Sequence, residues 1–154
     1  MTDIRPITID ELFNTPGITD MLDEYDGESA INGMPKTDPQ WDTYRFLEEN
    51  AKFQVIGAYH DDQLLGFVTV MVQVLPHYGK PIGMTESLFV RKQYRSTGAG
   101  LQLIRAAEEY AAIHKAVGFL VSAPALGKLE RLMRLRSDYD HSNTVFFKRL
   151  RQWT

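Results

Sequence analysis

The stretch that decides the fold reads Glu-Ser-Leu-Phe-Val at residues 86–90 and, after a short basic segment, Arg-Ser-Thr-Gly-Ala-Gly at residues 95–100. The first run predicts a strand, and the residues after the second run predict a helix. Glycines at 98 and 100 let backbone N–H groups approach a ligand closely, and a helix N-terminus offers unpaired N–H groups and a positive dipole end. The junction therefore predicts a phosphate-binding site.

Composition limits the possible classes of protein. The chain has 154 residues, of which 44% are hydrophobic and 24% charged, and we expect residues 1–154 to form a single domain. A net charge of -3 disfavours a general nucleic-acid binder. The absence of cysteine excludes disulfides and thiolate metal sites, and the scattered histidines predict no metal. Because Met1 leads into polar residues and no run approaches ~20 apolar residues, we expect no membrane span and a cytoplasmic location.

Outward from the glycine turn, periodicity and turn residues predict alternating strands and helices. The predicted elements are an edge strand Asp3–Ile9, a helix Glu11–Tyr25 divided at Pro16-Gly17, a loop Asp26–Gln40, a helix Trp41–Asn50, a hairpin of Phe53–Tyr59 and Leu64–Leu75, a strand Met84–Val90, a helix Gly98–Lys115, a strand Phe119–Ser122, a helix Leu126–Leu135 and a last strand Thr144–Leu150.

This order of elements resembles the GNAT superfamily of N-acetyltransferases, in particular its small bacterial or phage-borne single-domain members. Arg95, Gly98 and Gly100 match the family pattern of Arg or Gln, two residues, Gly, any residue, then Gly or Ala, and Val90 stands where the family ends its fourth strand. The resemblance is strongest over Thr85–Tyr139. It implies a mixed α/β (α+β) fold, in which a mostly antiparallel, twisted sheet of six to seven strands is flanked by about four helices.

The resemblance also implies acetyl-CoA as the cosubstrate. Its pantetheine amides would pair with the backbone of Leu88, Phe89 and Val90, and its pyrophosphate would lie against the turn at Arg95, Ser96, Thr97, Gly98, Ala99, Gly100 and Leu101. A Walker-type site would need Lys and Ser or Thr directly after the last glycine, where this chain has Leu101-Gln102. A Rossmann site would need its glycine turn after the first strand of a parallel sheet, whereas here the turn follows several strands of the antiparallel type.

Glu86 is the candidate catalytic residue. An amine acceptor is mainly protonated at neutral pH, so a base must remove a proton, and many family members carry a glutamate at this place. Glu86 would act directly or through an ordered water, and alternation predicts that Thr85 and Ser87 point to the opposite face. The alternative is a structural glutamate bonded to a neighbouring arginine or a backbone N–H.

The sequence departs from the family pattern at the proton donor for the departing thiolate. The family uses a tyrosine in its last helix, but the predicted helix Leu126–Leu135 has Met133 or Arg134 there. Asp138 replaces the usual glycine after that helix, and Tyr139 is expected to be a packing aromatic. The acid is therefore left unassigned.

The implied function is N-acetyltransfer from acetyl-CoA to an unidentified amine of a small molecule or protein, by direct transfer in a ternary complex. Two alternatives stay open, a non-catalytic acyl-CoA-binding or regulatory module and a toxin-like acetyltransferase acting on aminoacyl-tRNA. The chain is expected to be a monomer or a homodimer. The acidic cluster Asp23, Glu24, Asp26 and Glu28 is interpreted as a solvated surface, and His77-Tyr78 as a loop-shaping pair.

Overall fold

The structure, a computed structural model, describes residues 1–29, 31 and 33–151. Within these residues five strands, five α-helices and one 3₁₀ helix alternate along the chain. Their bounds are β1 Asp3–Ile7, α1 Ile9–Phe13, α2 Ile18–Ser29, α3 Trp41–Asn50, β2 Lys52–His60, β3 Gln63–Leu75, β4 Lys80–Val90, the 3₁₀ helix Lys92–Thr97, α4 Ala99–Ile113, β5 Phe119–Leu120 and α5 Lys128–Leu135.

The strands form a single sheet in the order β1-β2-β3-β4-β5. The pairs from β1 to β4 are antiparallel, and β5 lies parallel to β4. The predicted hairpin of β2 and β3 is confirmed. Its turn residues Asp61 and Asp62 have φ angles of 45° and 65°, which suit the type I′ turn that two-residue hairpins favour.

Alternation of side chains along the strands gives the sheet a separate core on each face. The core under α1, α2 and α3 includes Phe67 of β3 and Phe89 of β4. The core under α4 includes Val68 and Val90 from the same strands, together with the fully buried Leu103. The end of β4 that leads into the glycine turn is therefore fixed from both sides.

The predicted mixed α/β class is confirmed, but the sheet is smaller than the resemblance implied. Five strands are present in the described residues, not six to seven. Residues 144–150, predicted as the last strand, are exposed and have no regular structure. Their β-forming composition is not sufficient, because a strand needs a neighbour for its backbone hydrogen bonds and the last strand of the sheet, β5, is only two residues long.

The helices follow the prediction closely with one exception. α3 has the predicted bounds, and α4 begins one residue after the predicted start at Gly98. α2 continues to Ser29, into the segment predicted as a loop over Asp26–Gln40, in which residues 30 and 32 lie outside the described part. Over the described residues, no helix is both long and apolar enough to cross a membrane.

Candidate active site

The turn between β4 and α4 is a 3₁₀ helix that ends in a left-handed glycine. Gly98 has a φ of 80°, a region that other residues rarely adopt, and α4 begins at the next residue, Ala99. The Thr97 hydroxyl donates to the Tyr94 carbonyl at 2.6 Å and accepts the Ala99 N–H at 3.3 Å. The backbone and one side chain therefore set the shape of this turn.

The start of α4 presents free backbone donors. The first hydrogen bond of the helix runs from the Gln102 N–H to the Gly98 carbonyl at 3.2 Å, so the N–H groups of Gly100 and Leu101 have no acceptor within the helix. A Cβ added at Gly100 would lie 3.8 Å from Val90 Cγ2, an ordinary contact. The protein's own packing therefore does not require glycine at 100.

Arg95 fastens the turn to its surroundings. Its Nε donates to the Val90 carbonyl at 2.9 Å, and its Nη2 pairs with the Glu28 carboxylate of α2. Its guanidinium also lies 5.6 Å from the ring centroid of Phe89. The arginine of the family pattern therefore links the turn, β4 and α2, and the side chains of the adjacent Ser96 and Thr97 are exposed.

The basic segment before Arg95 also makes hydrogen bonds to other parts of the chain. Arg91 Nη2 donates to the Gly17 carbonyl at 3.1 Å, and the Lys92 backbone N–H donates to Glu24 Oε1 at 2.7 Å. These contacts join the turn to the segment from Gly17 into α2. The turn and α2 are consequently held together before any ligand is bound.

β4 has an open edge next to the glycine turn. β3 covers one side of β4 along its length, but β5 pairs with it only at Gly83 and Met84. One further contact follows, from the Ser122 N–H to Thr85 Oγ1 at 3.3 Å. In the described part of the chain no strand covers the β5-facing edge of Leu88–Val90, so this backbone lies where an extended ligand could add as a strand.

A β-bulge in β4 brings Glu86 to the face covered by α3. Thr69 pairs with Ser87 and Val70 with Thr85, which leaves Glu86 as the extra residue. Strict alternation from Phe89 would place Glu86 on the α4 face. The bulge instead allows its carboxylate to meet the side chains of α3 and β3.

Three hydroxyl groups donate to the Glu86 carboxylate. Thr69 Oγ1 and Ser87 Oγ donate to Oε2 at 2.7 and 2.9 Å, and the Tyr44 hydroxyl of α3 donates to Oε1 at 2.9 Å. The Thr69 hydroxyl also accepts the Ser87 N–H at 2.8 Å, which supports the bulge. Glu86 is exposed as a residue, so its carboxylate is both held by the protein and reachable from outside.

The phenol of Tyr44 is kept protonated by its surroundings. Burial raises the pKa of Tyr44 far above its ordinary value of 10, and the neighbouring Glu86 carboxylate raises this pKa further. Its ring also lies 5.8 Å from that of Phe53 and 6.2 Å from that of Trp41. Tyr44 is therefore a packed, permanent hydrogen-bond donor.

The bulge corrects the expectation that both neighbours of Glu86 point away from it. Thr85 is buried opposite Val70 on the α4 face, as predicted. Ser87, however, shares the α3 face and donates to Glu86. The alternation argument was wrong for Ser87 because it assumed a regular strand.

Sequence reasoning missed Tyr44 and Thr69 as partners of Glu86. Tyr44 lies in the predicted helix Trp41–Asn50, and nothing in the sequence places that helix next to Glu86. One sequence feature pointed to Thr69, namely that it is a polar residue in the apolar run of β3. In the structure this residue is only 2% exposed. A buried hydroxyl needs a hydrogen-bond partner, so its position pointed to a nearby polar group.

The acidic residues of α2 are engaged in contacts with this chain. Asp26 accepts the Thr37 N–H at 2.9 Å, and Asp23 pairs with Lys36 at 3.2 Å. Glu24 and Glu28 bind the turn, as described above. These carboxylates attach α2 to its neighbours. They therefore do more than form the solvated surface that the sequence predicted.

The remaining candidates lie apart from the Glu86 cluster. The Tyr139 hydroxyl donates to Glu108 of α4. The pKa of Tyr139 is raised mainly by burial and, to a smaller extent, by the Glu108 carboxylate. Tyr139 is not in a strand, and α5, with Met133 and Arg134, has no buried residue.

His77 lies in the β3–β4 turn, so roughly 20 Å of strand separates this turn from Glu86. Over the described residues, no group of three His, Asp or Glu side chains could hold a metal.

The glycine turn, the open strand edge and the Glu86 carboxylate lie next to one another, so a phosphate-bearing ligand and a base could meet here. A model of the acetyltransferase (GNAT) family matches residues 18–132. The chain therefore belongs to the GNAT acetyltransferase family, whose acyl donor is acetyl-CoA. The resemblance seen in the sequence is confirmed. A search of curated proteins gives no matching sequence.

Solved structures of GNAT enzymes share the fold. An aminoglycoside acetyltransferase from an uncultured soil metagenomic sample, in complex with trehalose, is 16% identical, with a TM-score of 0.71 and coverage of 97% of each chain. The ribosomal-protein-alanine N-acetyltransferase of Brucella melitensis biovar Abortus 2308 is 19% identical, with a TM-score of 0.68 and coverage of 96% of this chain and 99% of that chain.

A third similar structure is AAC(6')-Iy in complex with the bisubstrate analogue CoA-S-monomethyl-acetylneamine. It is 18% identical, with a TM-score of 0.66 and coverage of 98% of this chain and 99% of that chain. At these identities the similarity of the three structures concerns the fold.

Proposed function

We propose that residues 1–154 form one acetyltransferase domain that moves an acetyl group from acetyl-CoA to an amine by direct transfer in a ternary complex. The observation that carries the proposal is the Glu86 carboxylate, held by three hydroxyl donors on the strand that leads into the glycine turn. Family membership supplies the donor class.

On the donor side, the open edge of Leu88–Val90 would pair with the pantetheine amides. The free N–H groups at the start of α4 would bind the pyrophosphate, helped by the exposed hydroxyl of Ser96. No metal is needed for this arrangement, since the helix dipole and the N–H groups supply the positive potential.

In the reaction, the amine nitrogen attacks the thioester carbonyl carbon, a C–N bond forms and the C–S bond breaks. Glu86 takes the proton that the amine loses, directly or through one water. The CoA thiolate leaves with the electron pair of the broken bond and takes a proton from solvent, because α5 offers no tyrosine.

The acceptor proposed is an amine of a small molecule or a protein. The names of the similar structures support this class, since one acetylates aminoglycosides and another the alanine of a ribosomal protein. At such low identity neither substrate is assigned to this chain, so the acceptor has to be found with a panel of amines.

Release of free thiol from acetyl-CoA tests the reaction against polyamines, amino acids, aminoglycosides, peptides and aminoacyl-tRNA. We expect turnover with at least one acceptor, and Glu86→Gln should lower kcat by about 10² to 10⁴ without weakening CoA binding. The control is Glu109→Gln, which neutralises an exposed glutamate of α4 and should retain full activity. Full turnover in Glu86→Gln would rule out Glu86 as the base.

Calorimetric titration with CoA tests the donor site separately. Gly98→Val forces a β-branched residue into a φ of 80° and should abolish CoA binding, as should Gly100→Val by blocking the approach to the helix. Gly79→Val is the matched control, because Gly79 also has a positive φ, 65°, but lies in the β3–β4 turn. Retained affinity in both site variants would exclude the proposed pyrophosphate position.

A non-catalytic acyl-CoA-binding module is the second candidate. The observation that favours it is α5, which lacks the family's tyrosine and has no buried residue. Tight CoA binding without thiol release for every acceptor in the panel would establish this function in place of acetyl transfer.

A further inference from the structure

The Glu86 carboxylate has a limited number of free hydrogen-bonding positions. An ionised carboxylate offers about four lone-pair sites, two on each oxygen. Thr69 and Ser87 occupy both sites of Oε2, and Tyr44 occupies one site of Oε1. The site left for a proton, an amine or a bridging water is therefore on Oε1, the oxygen that Tyr44 binds.

Tyr44 differs from the other two donors in its origin. Thr69 and Ser87 belong to the adjacent strands β3 and β4. Tyr44 belongs to α3 and lies 42 residues before Glu86 along the chain. Its ring is held between Trp41 and Phe53, so little side-chain freedom remains to be lost when the bond forms. A packed donor on a separate element fixes the orientation of the carboxylate.

We propose that Tyr44 is a positioning residue for acetyl transfer: its hydroxyl holds Oε1 of Glu86 so that the last free lone pair of the carboxylate meets the acceptor amine or its bridging water. The proposal rests on the proposed function of Glu86 as the base. It assigns to α3 a part of the catalytic machinery that sequence reasoning placed only in β4 and the glycine turn.

Tyr44→Phe removes the hydroxyl and keeps the ring. We expect kcat to fall about 10-fold to 100-fold, while the KM for acetyl-CoA and the Kd for CoA stay within about twofold. Tyr59→Phe is the control, because burial raises the pKa of the buried Tyr59 as it does that of the partly buried Tyr44, but Tyr59 lies against Arg5. An unchanged kcat in Tyr44→Phe would overturn the proposal.

A double-mutant cycle distinguishes positioning from a general structural role. If Tyr44 acts through Glu86, Tyr44→Phe should change kcat by less than about twofold in a Glu86→Gln background. If the same 10-fold to 100-fold loss appears in both backgrounds, Tyr44 acts on something else and the proposal fails.

A measurement that needs no activity tests the hydrogen bond itself. Each single variant, Tyr44→Phe and Glu86→Gln, should lower the urea midpoint of unfolding, and the double variant should lower it by less than the sum. Additive midpoints would overturn the proposal even in an active enzyme. Non-additive midpoints in a protein that releases no thiol with any acceptor would instead refute the catalytic function, and with it the role of Tyr44 in catalysis, and leave only a structural pair.

Discussion

The part of the chain up to β5 and the part after it bury very different amounts of apolar surface. Every buried hydrophobic residue in the described chain lies between Ile7 and Ala111. After β5, Leu126, Leu135 and Phe146 are each more than 80% exposed. Few contacts join this later part to the rest, among them the bond from Tyr139 to Glu108.

The difference shows where the site obtains its rigidity. Glu86, its three donors and the glycine turn all belong to the part with the buried cores, so close packing holds the proposed donor site and the proposed base. The later part carries α5, the helix in which the family would place its proton donor. α5 has no buried residue and no tyrosine, so it offers no packed phenol as proton donor, and the proposed proton source for the thiolate is solvent.

Hydrogen exchange should show the largest contrast between the two parts. Amides of β2 and β3 open only with global unfolding, so we expect them to be protected by at least ~10³, whereas amides of residues 140–151 should exchange near the intrinsic rate. Mass spectrometry of peptic fragments measures both. Strong protection of residues 140–151 would mean that this segment packs against the sheet in solution.

Two substitutions of leucine by alanine compare the parts energetically. Leu103 is fully buried under the sheet, and its loss should cost about 2–5 kcal/mol of unfolding free energy. Leu135 is 85% exposed, and its loss should cost less than about 0.5 kcal/mol. Urea unfolding of the two variants gives the difference directly. Equal losses would contradict the contrast, since they would require a buried environment for Leu135.

The same contrast explains what the sequence could predict. α3, the β2–β3 hairpin and the start of α4 follow from local signals, namely the periodicity of apolar residues, polar turn residues between two runs of β-formers, and the glycines at 98 and 100. The strand predicted at Thr144–Leu150 failed because pairing depends on a neighbouring strand. A composition rich in β-formers cannot supply that neighbour.

The candidate site divides in the same way. The glycine turn, together with the resemblance to the family, was enough to select Glu86 and the turn from Arg95 to Leu101 as candidates. The bulge that turns Glu86 toward Tyr44 and Thr69 depends on the register between β3 and β4, which no local pattern encodes. Partners that lie 17 and 42 residues away along the chain therefore became visible only in three dimensions.

Gly66 provides a test at the junction between the sheet and the turn. A Cβ at this position would lie 2.4 Å from the Phe89 carbonyl oxygen and 2.8 Å from Val90 Cα, and both are backbone atoms that cannot move aside. Gly66→Ala should cost about 1–3 kcal/mol of unfolding free energy and weaken CoA binding. Gly27→Ala, where a Cβ has no neighbour within 4 Å on α2, should instead stabilise by about 0.5–1 kcal/mol.

The smallest effect concerns acid stability. Hydrogen bonds from Thr37 to Asp26 hold the pKa of Asp26 below its ordinary 3.8, so the stabilisation is present above that value and is lost as the pH falls through the folded-state pKa. Arg134 and the Leu126 N–H likewise lower the pKa of Glu130, but within the unpacked α5 region.

Asp26→Asn should therefore flatten the fall of the urea midpoint as the pH drops below 3.8, because the bond from Thr37 to Asp26 attaches α2 to the segment before α3. Glu130→Gln should leave that fall unchanged, since a helix with no buried residue separates from the sheet before global unfolding. If Glu130→Gln flattened the fall as much as Asp26→Asn, α5 would unfold together with the sheet. The region after β5 would then belong to the same cooperative unit as the site.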